Sequence, residues 1–198
     1  MERVEKIFVI NLTHRSDRLE SIKKELENVG FIDKMEIVPG VIIEGRPEAG
    51  IASAHSACIE LSKQRGYEIV MILQDDCKFI VDGYTFNNEV QVFFDTCPCD
   101  WNGLWVGSFW QVENIERFNY NWVVPLGFCQ DTAVIINNRF YDELLESYKI
   151  CIEENINIDV YVSSKIPIYV LKTRLCCQAD GYSDRTGLCM NGGNGIEL

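Results

Sequence analysis

Apolar residues fall along this chain in two rhythms, short unbroken runs and helically spaced stripes, and the two alternate. Lys6-Ile-Phe-Val-Ile-Asn-Leu12 is continuous, the signature of a strand buried on both faces, and predicts a central parallel strand. Leu19, Ile22, Leu26 and Val29 then recur at helical spacing, with Ser16 offering a cap and Gly30 ending the pattern. Met35–Val41 reads as a second strand broken by Pro39-Gly40, and Glu44–Glu48 as a polar loop. A helix of small residues is expected from about Gly50 to Arg65, where Ala52, Ala54 and Ala57 let another backbone approach closely. Tyr67–Leu73 is again unbroken and runs directly into Gln74-Asp75-Asp76.

The second half repeats the alternation. Leu104–Gly107, Thr132–Ile136 and Ile168–Lys172 read as strands. Asn138 can cap a helix in which Tyr141, Leu144, Leu145 and Tyr148 share a face, and a shorter helix is expected near Ile158-Asp159. Gln111–Tyr120 is a polar and aromatic loop. Neither an internal repeat nor a linker divides the chain, so residues 1–186 are expected to form one domain, followed by a mobile Gly/Asn-rich tail over 187–198. The expected fold is α/β: a mostly parallel central sheet flanked by helices.

Composition narrows the partners. The 198 residues carry 18 Lys+Arg against 30 Asp+Glu, a formal charge of −12, which argues against a nucleic-acid ligand. With 47% hydrophobic and 24% charged residues the chain is globular. No run has the h-region of a secretion signal or the length of a membrane span, so no integral membrane segment is expected. Nine cysteines, an odd number, then fit reduced thiols in a cytoplasmic protein. Cys97-Pro98-Cys99 and Cys176-Cys177 lack zinc-site spacing and a nearby histidine, and read as packing.

The position of Asp75-Asp76 matters more than the acids themselves. In an open α/β sheet the carboxyl ends of the strands face the ligand crevice, because helices cover both faces. Adjacent carboxylates there suit a hard cation, Mn²⁺ or Mg²⁺, shared with substrate phosphates, and such a cation would let this acidic chain accept a diphosphate. A solvated turn uses the same residues; the strictly apolar strand feeding the pair favours the site. Arg15 and Arg18 lie where guanidinium groups could meet phosphate, or could simply be charged first-turn residues of a surface helix. His55 shares a helix face with Ile51, Cys58 and Ile59, which suits a buried structural imidazole better than a catalytic one. Asp159 and Asp184 are single acids in uncharged surroundings, each able to serve as a cap or turn residue.

Taken in order, these segments resemble a known family. Phe8-Val-Ile-Asn-Leu-Thr-His-Arg-Ser-Asp-Arg18 is similar to the opening INL-x-x-R-x-x-R of family-25 glycosyltransferases, a group that includes lipooligosaccharide and collagen galactosyltransferases. Gly50-Ile-Ala-Ser-Ala-His55 resembles its G-C-x-x-S-H stretch, and Met71-Ile-Leu-Gln-Asp-Asp-Cys-Lys-Phe79 its L-I-x-E-D-D-x-x-F segment. Thr132-Ala-Val-Ile-Ile-Asn137, Ile158-Asp159 and Gly181-Tyr-Ser-Asp184 resemble its later strand, V-D pair and G-x-S-D turn. Gln74 stands where the family has glutamate, and Ala54 where it has serine.

The resemblance implies a GT-A (Rossmann-like) fold and inverting transfer of a hexose, galactose or glucose, from a UDP-sugar donor to a hydroxyl of a glycan or glycoprotein acceptor. It implies Asp76 and Asp75 as metal ligands, and Asn11, Leu12, Arg15, Arg18, His55 and Asp75 on the donor. Asp159 is the implied base, with Asp184 in reserve. Acceptor recognition would fall to Gln111–Tyr120 and the tail, where Trp101, Trp105, Trp110 and Trp122 cluster and could stack on a sugar, although Trp105 suits a core better than Trp110 does. Two other readings stay open: a non-catalytic GT-A-like protein that binds a nucleotide sugar or a partner, and a metal-dependent phosphohydrolase.

Overall fold

The computed structural model describes residues 1–107, 115–125, 132–185 and 187–190. The first four strands are β1 (Lys6–Asn11), β2 (Met35–Pro39), β3 (Ile69–Gln74) and β4 (Cys77–Phe79). They are followed by β5 (Gly103–Trp105), β6 (Ile115–Phe118), β7 (Trp122–Pro125), β8 (Ala133–Asn137) and β9 (Tyr169–Leu171). Three short strands close the chain: β10 (Cys176–Gln178), β11 (Gly181–Ser183) and β12 (Leu188–Met190). The α-helices are α1 (Ser16–Asn28), α2 (Pro47–Arg65), α3 (Gly83–Thr96), α4 (Tyr141–Glu154) and α5 (Ile158–Lys165). Among the described residues the central sheet has eight strands in the order β2-β1-β3-β8-β5-β9-β7-β6. β1, β2 and β3 are parallel, β8 reverses, β5 and β9 resume the first direction, β7 reverses and β6 returns. Only β7 and β8 therefore oppose the rest, which makes the sheet mostly parallel.

The unbroken apolar runs arise because alternate residues of each strand enter two different cores. Ile7 and Val9 of β1, Met71 and Leu73 of β3, and Ile135 of β8 pack with Ile22 and Leu26 of α1 and with Phe86, Val90 and Phe93 of α3. Phe8, Val70, Ile72, Val134 and Ile136 face the other way, onto Ala52, Cys58 and Ile59 of α2, Leu144 and Tyr148 of α4, and Val162 of α5. Large side chains in both layers are fully buried, Phe8, Phe86, Phe93 and Phe140 among them. Truncating one of these to alanine costs about 3–5 kcal/mol, so each layer matters to stability.

Several expectations change in detail. Ser16 is the first residue of α1 and caps nothing; Arg15 holds the cap position without a side-chain cap bond. Asn137, one residue earlier than expected, accepts from Arg139 N in a 3-10 turn before α4. α3 is an additional helix, capped by the Asp82 side chain on Thr85 N. Part of the expected polar loop is β6, paired antiparallel to β7. Leu188–Met190 of the expected tail pairs with β11, whereas residues 191–198 lie outside the described residues. Trp101 and Trp122 are core residues, stacked edge-on against Phe93 and Tyr169 respectively, so they cannot face a sugar. Trp105 is also buried, as its strand predicts, and Trp110 lies outside the described residues.

Candidate functional site

β1 and β3 run side by side in parallel, with Ile10 opposite Gln74, so both chains emerge from the sheet at the same end. There Asn11 Nδ2 donates to Asp75 Oδ2 at 2.7 Å, binding the two strand ends together. β8 reaches the same end from the opposite direction, and Gln74 N donates to Thr132 O. Asp75 and Asp76 form the turn between β3 and β4, and both are buried. Their position is fixed from two sides. β10 pairs with β4, which brings Gln178 Nε2 to within 2.9 Å of Asp76 Oδ2, and Ala179 N donates to Asp76 O at 2.7 Å.

Arg18 extends from the first turn of α1 across both acids. One guanidinium nitrogen, Nη1, lies 3.0 Å from Asp75 Oδ1 and 3.2 Å from Asp76 Oδ2, while Nη2 donates to Tyr182 O at 2.6 Å. Arg15 binds Asp17 through two nitrogens, at 3.0 and 2.8 Å, as well as Asp184. His14 Nε2 lies 3.3 Å from the other oxygen of Asp184. Residues 181–185 thus form a strap along the site. At its far end Arg185 pairs with Glu48 of α2, which also accepts from Asn157. Burial pushes the Asp184 carboxyl up, but Arg15 and His14 outweigh it and hold the group below its ordinary value.

These features surround one cavity of about 710 Å³, a size suited to a small-molecule ligand. Asp75, Asp76, Arg18 and Gln178 line one wall. Ile10, Leu12, Val41, Ile42 and Ile43 give an apolar side, Ile42 being strongly exposed. Asp159, in the first turn of α5 behind an Asn157 cap, lines it too and is buried. The N-terminal end of a helix favours a carboxylate. His55 is 1% exposed, lines the cavity from α2 and meets the Tyr148 ring edge-on at 5.9 Å. Leu12, Arg18, His55, Asp75, Asp76, Asp159 and Asp184 therefore border a single space; Asn11 lies beneath it and Arg15 secures its rim.

A divalent cation fits the chemistry of this donor set. Magnesium-like ions commonly take one or two protein carboxylates and complete their shell with water and substrate phosphate, and Asp75 and Asp76 are such a pair. No cluster of three or more His, Cys, Asp or Glu able to hold a metal occurs among the described residues. Gln178, Glu48, Arg185 and His14 were not candidates from sequence. Only His14 carried a signal, its place in the turn after β1; the others reach the site through long-range pairing.

No family model and no curated protein sequence matches the chain. Solved structures do. A197 from STIV aligns over 98% of this chain and 97% of its own, with a TM-score of 0.52 at 11% identity. Mannose-1-phosphate geranyltransferase from Thermus thermophilus aligns over 85% and 73%, with a TM-score of 0.53 at 9% identity. At such identities the likeness is one of fold, and it agrees with the GT-A, Rossmann-like layering described above. Among the described residues no helix is long and apolar enough to cross a membrane.

Proposed function

We propose that this chain is a metal-assisted glycosyltransferase that moves a hexose, galactose or glucose, from a UDP-sugar to a hydroxyl of a glycan or glycoprotein acceptor with inversion. The observation that carries the reading is the meeting, in one cavity, of an acid pair at a parallel strand end, an arginine beside it and a separate buried carboxylate, Asp159. Asp75 and Asp76 would hold Mn²⁺ or Mg²⁺, which when bound supplies positive charge against the diphosphate leaving group. Arg18 is positioned to bind phosphate oxygen through its planar guanidinium. The apolar side formed by Leu12 and Ile42 suits the flat face of the nucleobase. Asp159 accepts the proton of the acceptor hydroxyl as its oxygen bonds to the anomeric carbon; the bond to phosphate breaks and the electron pair leaves with UDP.

A non-catalytic nucleotide-sugar binder is the second reading, favoured by Gln74 and by the ion pairs that already engage both acids. Calorimetric titration with UDP, with and without Mn²⁺, followed by assay of UDP-galactose and UDP-glucose hydrolysis, tests both. The transferase reading expects Mn²⁺-enhanced UDP binding and slow donor hydrolysis. Asp76→Asn should weaken the Mn²⁺ enhancement, and Asp159→Asn should lower transfer to an acceptor by a factor of about 10²–10⁴ with UDP affinity kept. UDP binding indifferent to chelation would overturn the metal-assisted reading. Binding without turnover of any donor would favour the second.

A further inference from the structure

The position of Arg18 bears on how a metal could enter at all. Its Nη1 nitrogen lies between Asp75 Oδ1 and Asp76 Oδ2, at 3.0 and 3.2 Å, and thus touches an oxygen of each carboxylate that would hold the cation. The guanidinium is itself largely buried, 18% exposed, and its second nitrogen is held by Tyr182 O. Two nearby negative charges are costly when desolvated unless paired, and this arginine is placed to offset part of the charge of the acid pair within the protein. It does not reverse the sign of the site. Two carboxylates against one guanidinium leave one net negative charge, which repels a diphosphate, whereas adding a dication leaves one net positive charge, which attracts it.

Resting on the proposed nucleotide-sugar reading, we infer that Arg18 is a place-holding cation: it competes with the divalent ion for Asp75 and Asp76 and surrenders them when a diphosphate offers it new oxygens. A guanidinium forms bidentate bonds to phosphate as readily as to carboxylate, so the exchange leaves every charge paired. The metal alone must displace Arg18 without giving it a partner, and binds weakly. With the nucleotide present the displaced arginine is recaptured, so metal and diphosphate bind cooperatively and each raises the affinity of the other by the same factor. Departure of Arg18 from Tyr182 O also removes one tie of the strap, coupling occupancy to the rim.

The test measures Mn²⁺ binding to the full chain by electron paramagnetic resonance of the free ion, alone and with saturating UDP, in wild type, Arg18→Gln and Arg18→Lys. Removing the competitor should tighten Mn²⁺ binding in the absence of nucleotide by about tenfold in Arg18→Gln, and the further enhancement by UDP should shrink by a similar factor. Arg18→Lys, which keeps the charge but cannot span the same three acceptors, should lie between the two and serves if the glutamine variant fails to fold. Mn²⁺ binding to Arg18→Gln no tighter than to wild type, while UDP still enhances it in both, would overturn the place-holder role and leave the nucleotide-sugar reading standing. Absence of any coupling between Mn²⁺ and UDP in wild type would overturn both.

Discussion

Asp184 shows how a rim residue is tuned by its neighbours. Burial alone would raise its carboxyl, yet hydrogen bonds and charge from Arg15 and His14 leave it lowered. A carboxyl with a lowered folded-state value contributes stability that is fully present above its unfolded value, about 3.9, and is lost as pH falls through the folded value. The tie between the strap and the turn after β1 therefore holds throughout the neutral range and gives way only below about pH 4. Amide exchange over residues 181–185, corrected for intrinsic rates, should stay constant from pH 8 to 5, rise under stronger acid, and already be raised at pH 7 in Asp184→Asn. Because the pair is partly exposed, global stability should fall by no more than about 1 kcal/mol. Of the residues that make the site, Asp75 and Asp76 were legible because an apolar run ended on them. Gln178 was not, because only the pairing of β10 with β4, about a hundred positions away, gives it Asp76 as a partner.

At the level of elements, α2 carries the most pointed constraint. A Cβ on Gly50 would lie 2.3 Å from Val41 O, a backbone atom of the segment that forms the apolar side of the cavity. Alanine is the better helix former by about 1 kcal/mol. The clash is with main chain, which cannot rotate away, and overpacking of this kind costs about 1–3 kcal/mol. Gly50→Ala should therefore leave the protein no more stable, or less stable by up to about 2 kcal/mol in urea unfolding, and should weaken UDP binding as the Val41–Ile43 segment shifts. A clear gain in stability with unchanged UDP binding would contradict the packing described. The strands β1, β3 and β8 were readable to within two residues because burial on both faces makes them continuously apolar. α3 was less visible, although Asp82 and the spacing of Phe86, Val90 and Phe93 mark it. The tryptophans misled for a physical reason: an aromatic ring suits a sugar platform and a core equally, and only the edge-on contacts of Trp101 and Trp122 separate the two.

Across the whole molecule, the alternation of runs and stripes made the α/β layering legible. The reversal of β7 and β8 was not, since a strand buried on both faces reads the same in either direction. The thiols record the packing of both layers. Cys77 is raised by its hydrogen bond with Cys176 and by burial, Cys58 is raised by burial, and Cys151 is pushed up to about 11 by burial. Cys99 and Cys189 are exposed. Brief alkylation at pH 8, mapped by mass spectrometry, should label Cys99 and Cys189 and spare Cys58, Cys77, Cys151 and Cys176 until denaturant is added. Labelling of the second group in native buffer would mean that one of the two layers opens readily.

The pole of the sheet opposite the cavity also has a use. Backbone bonds there join Glu5 to Ile69, Asn138 to Glu68 and Asn137 to Asn102, while the cleft lies a full strand length away. Glu68 and Asn138 project from that pole into solvent. A tether or fluorophore attached at either would leave the mouth of the cleft facing solution, so surface-immobilised protein could be titrated with nucleotide and metal without the anchor masking the opening.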